Sequence, residues 1–366
     1  MSPEIGAPLL HTAAPSGRGA VATQHGPIQL RTVAAGLEHP WSLAHLPNGL
    51  MLVTERPGRL RFVGEDGSLS QPLGGLPEVY AEGQGGLLDV VLDPLFGQTR
   101  ILYLAYSEAG EGGASTAVLR ARLETSGLED VKVIFRQLPK VDGPNHWGAR
   151  LVFAWDGTLF ITLGERFKFD PAQDLSTHLG KIVRINSDGS VPPDNPFVAR
   201  KDARPEIWSY GHRNIQGAAI HPETGELWVS EMGPKGGDEL NIIKPGRNYG
   251  WPVVSWGDHY DDTPIPDHPT RPEFEPPAYY WNPVISPSGM AFYSGNGIPG
   301  WQGSLLIGGL SSEALIRLTL DGARVASEER IAMGARIRDV RPALDGTVYM
   351  LTDEDDGRIL RLAAAE

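Results

Sequence analysis

The chain has 366 residues, with 32 Lys plus Arg against 45 Asp plus Glu and a net charge of −13. An acidic chain without a basic run is a poor partner for nucleic acid or an anionic membrane, and no apolar run reaches the length of a membrane span. Cys is absent, which removes disulfides, thiolate metal ligands and thiol nucleophiles.

In chain order, residues 1–26 are Ala, Ser, Gly and Pro with little apolar periodicity, so we expect a flexible leader or linker. No basic start followed by an apolar core marks it as a signal peptide. From residue 27 to 366 the expectation is a single domain. Six segments there share a turn, an apolar strand and a polar end. They are PNGLMLVTERPGRLRFV, GQTRILYLAYSE, WDGTLFITLGER, ETGELWVSEMGP, WQGSLLIGGLSSEALIRL and LDGTVYMLTDEDDGRILRL. Their strands begin near Leu50, Ile101, Leu159, Leu227, Leu305 and Val348.

A four-stranded propeller blade needs about 40–50 residues, and the wider intervals leave room for inserted loops. Asn-Gly and Asp-Gly at the turns are hairpin signals, and no amphipathic helix of three turns is visible. Chance similarity between the turns of a β-sandwich is the competing explanation. Six recurrences across nearly the whole chain favour an all-β, six-bladed β-propeller of four-stranded antiparallel blades. The strand Ile28 to Ala34 is placed to close the ring by joining the last blade. In such folds, binding groups gather on loops at one end of the channel.

The polar residues at the repeats are therefore the candidates. Gln84 lies between glycines that let backbone approach a ligand, although an ordinary turn looks the same. His146, between Asn145 and Trp147, suits a general base, although a lone His more often satisfies a loop carbonyl. No HxxxH or HExxH spacing exists, which argues against a zinc hydrolase. Arg213 beside Asn214 offers a fork of donors plus an amide for planar anionic oxygens. Arg336 and Arg338 share one face of an extended segment, and an anionic ligand or the many acids of the chain would explain the pair. Gly233 and Pro234, followed by Asp238 and Glu239, suit a hard cation held by carbonyls and a carboxylate, with the backbone near Tyr249 as a further donor. A solvated acidic turn is the plainer alternative. GNGIPG at Gly295 matches a dinucleotide fingerprint but holds Pro299 and leads into a strand, so it is a turn. No GxSxG is present, which argues against a common serine hydrolase.

The set GQGGLLDVVLDP, NHWGARLVF, DGTLFITLGER, WSYGHRNIQG, EMGPKGGDELNII, GRNYGWP and RIRDVRPALDGTVYMLTDE resembles the soluble quinoprotein aldose sugar dehydrogenases of the glucose/sorbosone dehydrogenase family, over residues 28 to 362. The resemblance implies a six-bladed propeller and the cofactor pyrroloquinoline quinone (PQQ), a planar tricarboxylate with an ortho-quinone, together with Ca2+. It implies oxidation of aldoses at C1 to lactones. It gives His146 the role of general base and places Arg213 and Asn214 at the quinone oxygens. Gln84 becomes a cofactor hydrogen bonder, and Arg336 and Arg338 hold cofactor carboxylates. It assigns the carbonyls of Gly233 and Pro234 to a cofactor-side Ca2+, and Glu239 with the carbonyl of Tyr249 to a structural Ca2+. Tyr260 falls in a loop that covers the cofactor.

Two positions depart from the pattern. Ser311 stands where the family often has a Lys that contacts the cofactor, and Asn145 stands where the glucose-specific branch has Asp. The resemblance further implies a periplasmic or extracellular protein, monomeric or weakly dimeric, that passes electrons to a soluble acceptor. The rivals are a calcium-dependent lactonase propeller, which would ring a central Ca2+ with acidic and amide side chains, and a non-catalytic propeller that binds a protein or glycan.

Overall fold

In the computed structural model, which describes residues 10–11 and 18–365, six antiparallel sheets stand around a common axis as a six-bladed β-propeller. The innermost strands are Pro40–His45, Leu87–Leu92, Gly148–Phe153, Ile215–Ile220, Pro287–Phe292 and Ile337–Pro342, one each from blades 1 to 6. Each packs on the next, and the sixth packs on the first, so the ring is closed. All six bury their first four residues and leave the last two half-buried. Every one is also bulged near its start. A bulge re-aims side chains and ends regular pairing, so the same end of all six strands is irregular, and that end carries the candidate site.

The strands read from the repeats are the second strands of the blades: Met51–Glu55, Ile101–Gly110, Leu159–Leu163, Leu227–Glu231, Leu305–Gly309 and Val348–Thr352. They lie inside a sheet with neighbours on both sides, which explains their near-continuous apolar runs. Ile28–Leu37 pairs with Gly357–Ala364, so the start of the domain closes the last blade as expected. Of the expected leader, residues 1–9 and 12–17 lie outside the described residues. Arg18–Val21 adds an outer strand to blade 6, and Leu10–His11 pairs with Leu69–Ser70 at the edge of blade 1.

Apolar side chains fill all six junctions between blades rather than one central core. Trp147, Leu151 and Ile161 of blade 3 meet Leu88, Tyr103 and Ala105 of blade 2. The same holds around the ring. This partition lets the chain exceed the size at which single cores stop growing. Close approach of the inner strands needs small residues. A Cβ on Gly289 would lie 2.0 Å from Asp339 Oδ1 in the neighbouring strand.

The channel itself is charged. Arg150 Nη1 lies 3.2 Å from Asp89 Oδ1 and 3.1 Å from Asp339 Oδ1. Arg341 reaches the same two carboxylates at 3.1 and 2.8 Å. Two acids and two guanidiniums thus alternate among the inner strands of blades 2, 3 and 6. Buried charges persist when paired and hydrogen-bonded in this way.

Candidate active site

At the bulged end of the inner strands lies a cavity of about 250 Å³ to which all six blades contribute. Its charged lining is Arg56, Arg336, Arg338 and Asp353, three guanidiniums against one carboxylate. Gln84, Asn214, Gln216 and Ser286 add polar atoms, and Trp41, Leu88, Trp147, Met232 and Leu310 form apolar walls. Trp41 is held from behind by Arg150, whose guanidinium carbon lies 4.0 Å from the ring centroid. A cavity with flat aromatic walls and surplus positive charge suits a planar polyanion.

Arg338 donates to Asp353 Oδ2 at 2.5 Å and to Gln216 Oε1 at 3.2 Å, while its Nε is buried without a partner. Arg336 lies 3.6 Å from the same carboxylate and is about half exposed. The two arginines therefore share a face, as their spacing requires. Burial alone would raise the Asp353 carboxyl, but Arg338, a hydrogen bond with His39 and the charge of Arg56 hold it well below the usual carboxylate range.

His146 does not itself line this cavity; it directly precedes the lining residues Trp147 and Gly148. Its backbone N–H donates to Gln84 Oε1 at 2.9 Å, which ties two of the expected site residues together. Its Nδ1 lies 2.5 Å from Oε1 of the fully buried Glu165. The other Glu165 oxygen accepts the backbone N–H groups of Lys168 and Phe169. A carboxylate so placed fixes the tautomer with hydrogen on Nδ1 and leaves Nε2 as the lone-pair nitrogen. Burial pushes His146 below its ordinary 6.5, as do the charges of Arg213 and Arg166, while the Glu165 hydrogen bond pulls the other way. A buried, oriented imidazole whose protonation is disfavoured is a ready proton acceptor.

Arg213 lies between this cavity and a second one. Its Nη1 donates to the carbonyls of Met232 and Gly233 at 3.0 and 2.7 Å, and its Nη2 donates to the Tyr260 hydroxyl at 3.0 Å. Its Nε has no partner. Tyr260 is 61% exposed and packs its ring near Phe167. Asn214 lines the first cavity and accepts from Gly148 N and Gln216 Nε2. Ser311 does not line the cavity; it is one hydrogen bond removed, through Ser286 Oγ at 2.8 Å.

The second cavity is small, about 10 Å³, and is lined by Glu231, Gly233, Glu239 and Tyr249 among others. Pro234 is buried but outside this lining. Glu239 accepts from Asn241 at 3.2 Å and pairs with His268 Nε2 at 3.0 Å. Burial and the nearby Glu231 raise its carboxyl, while His268 opposes this. Asn241 Oδ1 is buried without a donor. Among the described residues, no three His, Cys, Asp or Glu side chains converge as a metal centre. A cation here would rest on carbonyl oxygens and a carboxylate, a donor set that suits a hard ion such as Ca2+.

Sequence reasoning passed over Glu165, Asp353, Arg56 and Trp41. A signal for the acids was present in the repeats themselves. Five second strands carry an acid within two residues of their ends, in VTE, YSE, LGE, VSE and LTD. Those acids, Glu55, Glu108, Glu165, Glu231 and Asp353, each hold a basic side chain in place.

The sequence profile of the Glucose / Sorbosone dehydrogenase family matches residues 37–361. The chain is 48% identical over 337 residues to the aldose sugar dehydrogenase YliI of Escherichia coli, covering 89% of this chain and 90% of that protein. Its fold is similar to a crystal structure described as glucose dehydrogenase, at 51% identity and a TM-score of 0.90, covering 92% of this chain and 99% of that one. It is also similar to the PQQ-bound form of the aldose sugar dehydrogenase of Streptomyces coelicolor, at 30% identity and a TM-score of 0.76, covering 96% and all of that chain. The chain belongs to the glucose/sorbosone dehydrogenase family.

Proposed function

We propose that this protein is a PQQ- and Ca2+-dependent aldose sugar dehydrogenase that oxidises the sugar at C1 to the lactone. The observation that carries the reading is His146, oriented by Glu165 and tied through its backbone to Gln84 in the lining of a cavity with three guanidiniums and one carboxylate. The Streptomyces coelicolor relative at 30% identity is described as PQQ-bound, which supports the choice of cofactor. A lactonase of the kind considered above would need a ring of acidic and amide groups, and the arginine surplus opposes it.

The residues present fit the cofactor. Arg336, Arg338 and Arg56 would hold its carboxylates, and the unpartnered Nε of Arg338 is a free donor on that side. Trp41 and Trp147 wall its flat faces, Gln84 and Asn214 offer amide hydrogen bonds, and Tyr260 covers the approach. When bound, the quinone supplies a hydride acceptor. Gly233 and Pro234 would hold a Ca2+ on the cofactor side, and Glu239 with the Tyr249 carbonyl a structural one; Glu239 and Tyr249 line the same small cavity, which fits the second.

The chain's own part in the reaction follows from proton geometry. Hydride loss from the anomeric carbon needs the hydroxyl proton to leave as the C–H bond breaks. His146 Nε2 takes that proton, and Glu165 stabilises the imidazolium that forms. Arg213 places fixed positive charge where negative charge develops. The test is reconstitution of apoprotein. PQQ with Ca2+ should switch on oxidation of aldoses, measured with an artificial electron acceptor, and nicotinamide cofactors should do nothing. Aldose oxidation by apoprotein with NAD would overturn the reading.

A further inference from the structure

Two segments around His146 concentrate an unusual backbone conformation. Of the eleven non-glycine residues with positive φ among the described residues, five lie there: His146 (55°), Ala149 (83°), Arg166 (60°), Phe167 (59°) and Phe169 (63°). The left-handed region disfavours side chains other than Gly, Asn and Asp. Such a cluster persists only where the surroundings over-determine it.

The segments are locked into each other. Arg166 N–H donates to the His146 carbonyl at 3.3 Å, and Glu165 N–H to the Arg213 carbonyl at 2.9 Å. A Cβ on Gly164 would meet that His146 carbonyl at 2.0 Å, so only glycine permits the approach.

The centre of the lock is Arg166. It is fully buried, and no carboxylate pairs with it among the described residues. Its guanidinium lies flat on the Trp147 ring, 3.4 Å from the centroid. One terminal nitrogen donates to the Asn145 carbonyl and the other to the Gly143 carbonyl at 2.6 Å, while Nε has no partner. A buried charge without a counter-ion is expensive, and the expense falls directly on the peptide that carries His146. Salt bridging explains most other arginines of this chain but not this one.

We propose that Arg166 is a positioning residue for the base: clamped between Trp147 and the carbonyls of Gly143 and Asn145, it holds His146 in its left-handed conformation against Glu165 and sets a positive charge, directly paired with no carboxylate among the described residues, behind the imidazole. The inference rests on His146 being the base. The charge opposes protonation of His146, so the ring stays neutral and able to accept a proton at lower pH. The titratable groups facing His146 are Glu165 at its Nδ1, Arg213 from blade 4 and Arg166 behind it. Further out, Asp142 and Lys168 pair with each other, and Tyr80 packs on Trp147. Burial lowers His146, and Arg166 adds to that in the same direction.

The geometry and the charge are separable by substitution. Arg166→Met removes both. Arg166→Lys keeps the charge but loses the planar fork that reaches two carbonyls while stacked on an indole. The first measurement is the NMR titration of ring-labelled histidine in apoprotein, with His146→Gln to assign the signal. It needs neither cofactor nor sugar, so it remains informative even if the proposed reaction is wrong. Arg166→Met should raise the His146 midpoint by about one pH unit, and Arg166→Lys should leave it within a few tenths. The second is the rate of reduction of bound cofactor by sugar against pH. Arg166→Met should move the acid limb upward and lower the plateau about ten- to a hundredfold, because misplacement of a reacting group is costly. Arg166→Lys should lower the plateau without moving the limb. PQQ affinity should change less than threefold in both. An unmoved His146 midpoint in Arg166→Met overturns the electrostatic half. A wild-type plateau in Arg166→Lys overturns the geometric half, and it decides that half even if Arg166→Met does not fold. A parallel loss of PQQ affinity marks a general structural role and overturns both.

Discussion

The two cavities at the mouth of the propeller are opposites in charge, and Arg213 stands between them. The larger one sets Arg56, Arg336 and Arg338 against Asp353. The smaller one brings Glu231 and Glu239 together beside Gly233 and Tyr249. On the proposed reading, the charge left over in each suits its ligand: an anion in the first, a cation in the second. Neither imbalance is visible in the net charge of the chain, because Asp353 and Glu239 are two among 45 acids. Arg213 answers to both sides. Its guanidinium is held by carbonyls of the cation side, and its neighbour Asn214 lines the anion side. His146 belongs to neither charge imbalance and takes its orientation from Glu165.

That division of labour breaks most visibly at His146. His146→Ala should leave the affinity for PQQ and the response to Ca2+ within twofold of wild type. It should slow reduction of bound cofactor by sugar about 10²–10⁴-fold, the usual worth of general-base assistance. Stopped-flow mixing at saturating cofactor separates these quantities. In wild type the acid limb of the rate should lie below pH 6.5. The base works only when neutral, and burial holds its protonation below the ordinary value. A near wild-type rate in His146→Ala would place the base elsewhere.

The next effect in size belongs to the anion cavity. Arg338→Ala removes a buried guanidinium and leaves Asp353 with weaker partners. A charge-assisted contact is worth about 1.5–3 kcal/mol, which is roughly ten- to a hundredfold in affinity. Arg336 is about half exposed, so Arg336→Ala should cost only a few-fold and less at high salt. Excess cofactor should restore most of the rate in both variants but not in His146→Ala. Equal losses for the two arginines would mean that burial does not set their contributions.

The cation cavity is probed by stability rather than rate. Glu239→Gln should remove much of the gain in melting temperature that Ca2+ gives wild type. A ligand present at a hundredfold its Kd adds about 2.7 kcal/mol if it binds only the folded state. In chelator the variant should melt no lower than wild type, because the buried carboxyl already sits above its usual range without a cation. Identical Ca2+ shifts in the two proteins would remove the cation from this site.

How much of this was legible depends on whether periodicity or convergence carries the information. The six second strands repeat in sequence, so their starts, the blade count and the closing strand from Ile28 could all be read. Gln84, Arg213, Asn214, Arg336 and Arg338 could be nominated because each sits beside a repeat strand or a glycine turn. Glu165 was harder. Its partner His146 is on the previous strand's approach, and the pair forms only when the hairpin folds back. Arg166 was invisible as more than one of many arginines, because its distinction is full burial on Trp147 with no carboxylate pairing it among the described residues. The outer strand Arg18–Val21 was hidden by composition. An edge strand pairs on one side and needs no apolar run, so it reads as linker.

The smallest effect we expect comes from Ser311, where the family resemblance implies a Lys. Ser311 is exposed at the turn after Leu305–Gly309 and touches the cavity only through Ser286. Its hydroxyl hydrogen bond to Ser286 Oγ is solvent-exposed, so removing it costs little. Ser311→Lys would add a fourth cation to a rim that already has three in its lining. The long stem of lysine reaches from such a rim while its ammonium stays hydrated, so the gain is that of an exposed ion pair, about 0.2–1 kcal/mol. That corresponds to no more than roughly a fivefold tighter hold on a polycarboxylate cofactor. The gain should fade as salt rises, since the screening length falls to about 3 Å at 1 M, whereas the contribution of buried Arg338 should survive. Titration of Ser311→Lys apoprotein with PQQ at low and high ionic strength measures both. Tighter binding that persists unchanged at 1 M salt would mean that the new ammonium makes a desolvated contact. No gain at low salt would mean that the surplus charge of Arg56, Arg336 and Arg338 already saturates the demand of the ligand.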